Sequence, residues 1–528
     1  MMITEILAQN SRKFGDDIAL IERIPAQNLR HEITWTQFYD QACTLANALN
    51  AHGISKSDKV IQLMTNSLDW LPIYFGILYT GAWAVPLNFR FESEKILLCT
   101  QTAEAKAFIF GQEFIERIEA VKSDLDQHVG LWLYTGPEDA CPAWAQPMAP
   151  FMDGHSQEQP QVELSLEDDA ALYFTSGTTG TPKAVLLSHH ALAHACETEN
   201  AHHKQTKDDV FLCIPPLYHT GAKMHWMGSF KVGGKCVLLN GVKPQWIVEA
   251  VSREKCTIVW LLVPWIHDLL IAFDTGDIDM DQHSLSQWRL MHSGAQPVPP
   301  SMIKRWRAYF PDQAYDTNYG LTESAGPGCV HLGIENGDRI GPIGKPGHGW
   351  EARIVDKMGN DLFGNETGEL IIRGPGVMRE YYKNPEPTAD TIRNGWLHTG
   401  DMARFDMEDF IWLVDRKKDM IIYGGENIFP NEIENFFLQH DKIKDIAVIG
   451  VPDERLGELP TGIISVKPET IICEDDIKAF QQELPRYKQL KKIYFGDVPR
   501  NPTGKIEKPK LRRLYAEDNR KDVTQLLR

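Results

Sequence analysis

Apolar runs of strand length alternate with helix-spaced segments through most of the first 400 residues. "ITWTQFYDQACTLANALNAHGI" (33–54) has helical spacing, and Gly53 fits a C-terminal stop. "DKVIQLMT" follows as a strand, and "WLPIYFGILYTGAWAVPLN" (70–88) predicts a buried helix running into another strand. The same alternation recurs at "VFLCIPP", "KCVLLN", "TIVWLLVP" and "WRLMHSG". This rhythm predicts an α/β protein with parallel sheets covered by helices. Residues 136–169, rich in Pro, Gln, Asp and Glu, read as a surface excursion. From about 350, "ARIVDKMGNDL" and "GELIIRGPGVM" predict the short strands of a small β-unit. Beyond "IWLVDRKKDMIIYGGENIFPNEIENFFLQH" the pattern becomes compact α+β.

At 528 residues the chain exceeds one ordinary core. Its 43% apolar and 24% charged residues are those of a soluble globular protein. A net charge of −18 argues against nucleic acid and anionic membrane surfaces as partners, but not against small anions held at a local cationic site. Nine scattered cysteines without a CxxC pair support neither a disulfide framework nor a zinc site, so a reducing, cytoplasmic setting is expected. No basic flank precedes an apolar segment at the N-terminus, and Pro72, Gly76, Gly81 and Pro86 interrupt the most apolar stretch. Neither a secretory signal nor a membrane span is expected, and "QLLR" at the end carries no lipidation or peroxisomal signal.

"YFTSGTTGTPKAVLLSHHAL" (173–192) crowds hydroxyls and glycines ahead of a lysine. Such a loop lets backbone N–H groups approach an anion, with hydroxyls and one cation completing a phosphate cradle. Two residues separate Gly177 from Gly180 and Lys183 follows Pro182, so this is not a Walker loop. A solvated turn is the plain alternative.

Five further stretches occur in order: "PPLYHTG" (215–221), "NYGLTES" (318–324), "GWLHTGD" (395–401), "DRKKDMIIYGGENIFPNEIE" (415–434) and "PRNPTGKIEK" (499–508). With the loop, they resemble the successive motifs of the adenylate-forming superfamily of acyl-CoA synthetases, adenylation domains and beetle luciferases. The resemblance covers nearly the whole chain. It implies a large N-terminal domain (1–416) of two parallel α/β sheets plus a β-subdomain. A smaller mobile α+β domain (417–528) follows, hinged near Lys418. It also implies ATP, Mg²⁺ and coenzyme A, and two half-reactions: acyl-adenylate formation, then capture by a thiol. Ala184 departs from the glycine usual after the lysine.

By the same resemblance, Thr175, Ser176, Gly177, Thr178, Thr179, Gly180 and Lys183 cradle the β- and γ-phosphates. Glu323 holds Mg²⁺ and Thr322 reaches the α-phosphate. Tyr319, followed by Gly320, stacks on adenine, with Gly294 and Ala295 of "SGAQP" as the opposite wall. Asp401 accepts the ribose hydroxyls, and Arg416 contacts ribose or phosphate. His219 gates carboxylate entry, and Lys505 bridges carboxylate and α-phosphate. Gly424 and Gly425 line a pantetheine tunnel. Lys488 and Lys491 are weighed as contacts for the CoA phosphates against a plain solvated helix. Taken singly, each of these is an ordinary turn, cap or solvated charge; the ordered set gives them roles.

The acyl pocket is expected along "AKMHWMGSF", "VPWIHDLL" and "HSGAQP". Bulky Trp226 and Trp265 predict a short-to-medium, alicyclic or aromatic acid, and Lys223 or His225 a partner for a second polar group. "YHTGA" lacks the aspartate of amino-acid-activating relatives. The expected activity is an AMP-forming acyl-CoA ligase, with a homodimer as an allowed assembly. The alternative is an adenylation enzyme loading a carrier protein in trans. A luciferase-type oxygenase is disfavoured by the missing peroxisomal tail, and a non-catalytic relative by Glu323 and Lys505.

Overall fold

The alternating runs become two large sheets in the computed structural model, which describes residues 1–175, 182–295, 298–468, 470–500 and 506–515. The first is nine-stranded among the described residues. Its centre is parallel: Lys235–Leu239, Val210–Cys213, Ile258–Leu262, Leu290–Gly294 and Ala314–Leu321 lie side by side. The second, eight-stranded, has a parallel centre at Lys59–Leu63, Trp83–Pro86, Ala107–Phe110 and Leu131–Tyr134. Both are mixed at their edges. In particular, Asp169–Thr175 and Lys183–Ser188, the strands before and after the Gly/Thr stretch, pair antiparallel as the two arms of a hairpin.

Local sequence explains the helices that cover these sheets. Thr34 caps the helix Trp35–Ala51 by accepting from the Gln37 N–H while the Gln37 side chain returns the bond, a capping box. Gly53 takes φ +84° just beyond its end. The helix Trp70–Tyr79 is buried on every face, as its unbroken apolar composition requires, and Pro72 sits in its first turn. No helix among the described residues is long and apolar enough to cross a membrane.

A small antiparallel sheet follows: Glu351–Val355, Gly368–Arg373, Trp396–Phe405 and Ile411–Arg416. The turn of Lys417 to Met420, with Lys418 exposed, leads to a separate sheet built on Ile421–Tyr423, Ile443–Asp453 and Gly457–Val466. That sheet has its own core, including Ile433, Phe437, Val448 and Ile464.

Polar contacts join the two units around the turn: the Asn431 N–H donates to Asp415 Oδ2 at 2.9 Å and the Asn431 side-chain amide to the Val414 carbonyl at 3.4 Å. Behind them, within the C-terminal unit and its turn, Lys508 Nζ lies 2.9 Å from Glu434 and Arg512 lies 2.9 Å from Asp419. Burial, only partly offset by Lys508 and two backbone N–H groups, pushes the Asp415 carboxyl up to about 6. The folded protein therefore binds this proton more tightly than the unfolded chain, whose carboxyl titrates near 3.9. The group's contribution to stability must fall as pH rises from about 4 through 6. Thermal unfolding between those pH values should show Asp415→Asn losing that part of the slope. Identical slopes in variant and wild type would remove Asp415 as its source.

Candidate active site

The hairpin brings its two ends together: Thr175 is the register partner of Lys183. Ser176, Gly177, Thr178, Thr179 and Gly180 lie outside the described residues. Lys183 Nζ stands 4.4 Å over the ring of Tyr381, whose strand pairs with Val185 and Leu186. The Tyr381 hydroxyl donates to Glu323 Oε1 at 2.7 Å. A cation, a phenol and a carboxylate thus follow one another along the wall of a cleft of about 250 Å³. Its far side carries Glu369, His398 and Lys417. Burial alone would raise the Glu369 carboxyl; Lys417 at 3.0 Å and His398 at 3.3 Å outweigh it and hold the group low. Among the described residues nothing bonds Glu323 Oε2. One free hard oxygen on a cleft wall suits Mg²⁺, which takes one or two carboxylates and fills its octahedron with phosphates and water.

Glu323 is placed by a sharp ending to the strand Ala314–Leu321. Ser324 Oγ receives the Leu321 N–H at 2.8 Å, closing the short turn Thr322–Ser324, and Ala325 then takes φ +61°. On the same strand the Tyr319 hydroxyl donates to Asp401 Oδ2. Arg416 Nε lies 3.0 Å from Asp401 Oδ1, the two residues being partners across neighbouring strands. Burial, with the Asp401 charge second, pushes the Tyr319 phenol well up, and Asp401 above all raises the Arg416 guanidinium. Beside them, Gly294 ends its strand where a Cβ would stand 3.3 Å from Asn318 Oδ1, and Ala295 is held at φ +68°. Left-handed non-glycine residues of this kind gather at functional sites. Gln296 and Pro297 are outside the described residues.

The buried helix Thr220–Phe230 is capped by His219, whose Nδ1 accepts the Gly221 N–H at 3.2 Å. A Cβ on Gly221 would stand 3.1 Å from the Trp260 ring, and a Cβ on Gly294 3.6 Å from its Nε1. Two pocket expectations are corrected here. Trp226 turns into the core against Phe230 and donates to the Gly234 carbonyl, a third of a turn away from His225. Lys223 is caged by the rings of Tyr173, Tyr74 and Trp70 and donates to the Leu217 carbonyl at 3.2 Å, with burial pushing its ammonium well down. Trp265, half-buried, opens the helix Val263–Asp274.

Sequence reasoning missed Tyr381, Trp260 and a fully buried polar layer beneath the wall. His331 donates to Asp316 Oδ2 at 3.0 Å and to Glu199 Oε1 at 3.1 Å. His203 Nε2 donates to Asp316 Oδ2 at 2.6 Å, and His225 Nδ1 lies 3.2 Å from Glu199 Oε2. Burial opposes charge on His331, but Asp316 and Glu199 outweigh it and hold the imidazolium up to about 10. The odd polarity of His225 inside an apolar helix was the one sequence signal for this layer.

In the C-terminal unit, Gly424 and Gly425 form the two-residue turn between Ile421–Tyr423 and Glu426–Ile428, with φ of +59° and +90°. Positive φ at both positions is what a tight hairpin turn demands. Lys488 pairs with Glu432 at 2.5 Å. Lys505 lies outside the described residues.

Fold and site together define an adenylate-forming enzyme. Residues 7–382 match the model of the AMP-binding enzyme family and 432–505 that of the AMP-binding enzyme C-terminal domain; the chain belongs to this family. Among similar proteins, a 4-coumarate–CoA ligase of Nicotiana tabacum is 30% identical, aligned over 89% of this chain and 87% of its own length. A feruloyl-CoA synthase of Amycolatopsis sp. is 31% identical over 92% of this chain and 94% of its own. Among solved structures, the anthranilate CoA ligase AuaEII in complex with anthranoyl-AMP has a TM-score of 0.88 at 25% identity, covering 97% of both chains. ATP-bound MatB from Rhodopseudomonas palustris has a TM-score of 0.87 at 26% identity, covering 98% of this chain and 99% of its own.

Asp401 is held ready by Tyr319 and Arg416. A hydrogen bond to a charged acceptor is worth about 1.5–3 kcal/mol, so Asp401→Ala should raise the KM for ATP at least roughly tenfold. Unchanged steady-state constants for ATP would take Asp401 out of the nucleotide site.

Proposed function

We propose that this chain, an AMP-forming acid–thiol ligase, activates a ring-substituted aromatic carboxylic acid and passes the acyl group to coenzyme A. The observation that carries the acid is Trp260. It stands against side-chain-free Gly221 and Gly294, where its bulk favours a short, flat acid over a long chain. Among the described residues its buried indole N–H has no hydrogen-bond partner, a donor placed for an oxygen or nitrogen substituent on a flat ring. The relatives named for 4-coumarate, ferulate and anthranilate support the same acid class.

In this reading the acid's carboxylate oxygen attacks the α-phosphorus of ATP and pyrophosphate leaves. The CoA thiol then attacks the acyl carbon and AMP leaves. Lys183 and the loop after Thr175 hold the outer phosphates, Thr322 reaches the α-phosphate, and Tyr319, Asp401 and Arg416 seat the nucleoside. Bound at Glu323, Mg²⁺ would neutralise phosphate charge. The Tyr381 hydroxyl orients that carboxylate. His219, fixed at the helix start, guards the entry of the acid. Lys505 supplies positive charge between carboxylate and α-phosphate, and rotation about Lys418 then brings Gly424 and Gly425 to the pantetheine arm. Loading of a carrier protein in trans is the second reading; AMP release that requires CoA excludes it.

A panel from acetate to palmitate, with benzoate, 4-coumarate and anthranilate, should give its highest kcat/KM on an aromatic acid. Trp260→Ala should move the preference toward longer acids by at least roughly tenfold, since one methylene in a pocket already discriminates 10–200-fold. Palmitate as the best wild-type substrate would end the short-acid reading.

Lys505→Ala should lower acyl-adenylate formation by roughly 10²–10³, the scale of losing one stabilising group at a developing charge. Thioester formation from supplied acyl-adenylate should stay within a few-fold of wild type. An equal fall in both half-reactions would assign Lys505 to both.

A further inference from the structure

Three neighbouring strands of the nine-stranded sheet place Trp260, His292 and Asp316 in one row as register partners. The helices His189–His203 and Thr220–Phe230 lay Glu199, His203 and His225 over that row. In a parallel α/β sheet this face is normally filled with aliphatic side chains. Every one of these ionisable groups is essentially solvent-free, and replacing such a cluster with apolar residues would commonly leave a protein equally or more stable. The layer calls for an occupant that makes its polarity useful.

Two details say which. His203 spends its Nε2–H on Asp316 at 2.6 Å, which fixes the ring so that Nδ1 presents its lone pair 3.4 Å from Glu199 Oε2. In the neutral ring two acceptors would face each other there, and among the described residues Nδ1 makes no hydrogen bond. His292, 4.6 Å from His203 between ring centres, has both nitrogens buried and, among the described residues, unpartnered. A proton added to His203 would satisfy Nδ1 and still leave His292 orphaned. A metal ion satisfies both. Glu199, His203 and His292 can bring one ligand atom each to within 4.8 Å of one another. The other candidate triad, His203, Asp316 and His331, is already closed by its own N–H donors.

We infer that Glu199, His203 and His292 bind a divalent transition-metal ion of the zinc and cobalt class, separate from the Mg²⁺ that accompanies ATP. Two imidazoles and one carboxylate suit Zn²⁺ or Co²⁺ and are poor ligands for Mg²⁺. Asp316 then serves as the outer-shell carboxylate that orients a ligating imidazole, and His225 stands behind Glu199 in the same role. Three protein ligands leave a fourth position for water or a substrate atom.

The test uses the full-length, tag-free chain with neither ATP nor acid present, so its result is independent of the proposed acid. Elemental analysis should find about one zinc-class ion per chain, removable with dipicolinate and replaceable by Co²⁺ with the visible absorption of a four- or five-coordinate site. His292→Ala should abolish stoichiometric binding. Asp316→Asn should weaken Co²⁺ binding by about 10–100-fold, the usual effect of losing an outer-shell partner. His190→Ala, at a half-buried histidine outside the layer, should bind as wild type does. Metal-free wild-type protein that takes up no Co²⁺ overturns the inference whether or not the variants fold. Equal Co²⁺ binding by folded His292→Ala overturns it too, as does a metal-free protein in which His292→Ala alters only acid selectivity; the layer would then read a polar group on the acid.

Discussion

His331 donates one ring N–H to Asp316 and the other to Glu199, with all three side chains shut off from solvent. Two carboxylates left unpaired in that interior would each cost several kcal/mol, so the closed layers depend on the imidazolium and its neighbours to offset that cost. The bonds tie the helix His189–His203 to the strands Ala314–Leu321 and Gly326–His331. Asp316 stands three residues before Tyr319 on a rigid strand, and Glu323 follows within one short turn. The positions of Tyr319 and Glu323 are therefore inherited from a charge arrangement on the same strand. Asn318 links the two levels, giving its amide N–H to Glu199 at 3.1 Å while its Oδ1 crowds Gly294.

What the sequence made legible was local. Strands appeared where apolar runs did, because a strand buried on both faces needs no partner to reveal itself. The helix Trp70–Tyr79, the turn at Gly53 and the short strands after 350 were readable for the same reason. The hairpin was not: hydroxyls and glycines between two apolar runs do not say whether the second run returns antiparallel. Trp226 and His225 were assigned to one pocket because neighbouring residues on a helix point about 100° apart, and spacing alone leaves open which face meets the sheet. The buried polar layer was out of reach altogether. Its members come from separate elements, with Glu199 and His331 132 residues apart, so no window of sequence shows them together. Ordered motifs carried the nucleotide site further than periodicity did, yet they gave no hint of Tyr381, which reaches Glu323 across 58 positions.

Chemistry in two steps asks opposite things of the two units. The N-terminal groups must be fixed, since stabilising charge at phosphorus depends on donors and cations already in position. In the proposed two-step reaction the C-terminal unit would present different residues at different times. The structure divides the labour accordingly: buried ion pairs and hydrogen bonds lock the strand ends, while the joint is a four-residue turn with Lys418 exposed. Among the described residues, what crosses the joint is polar: Asn431 bonds to Asp415 and Val414, Lys508 acts on Asp415 through its charge, and the C-terminal core contains no N-terminal residue. Polar contacts of this kind can exchange for water at modest net cost, whereas separating an apolar core would expose its surface at about 25 cal/mol per Å². A joint made of charges can open and reclose; one made of leucines would hold a single arrangement. The buried Asp415 shows the cost of that choice: burial, which Lys508 and the backbone N–H groups of Asn431 and Arg416 offset only in part, makes the folded joint less stable where the carboxylate is ionised.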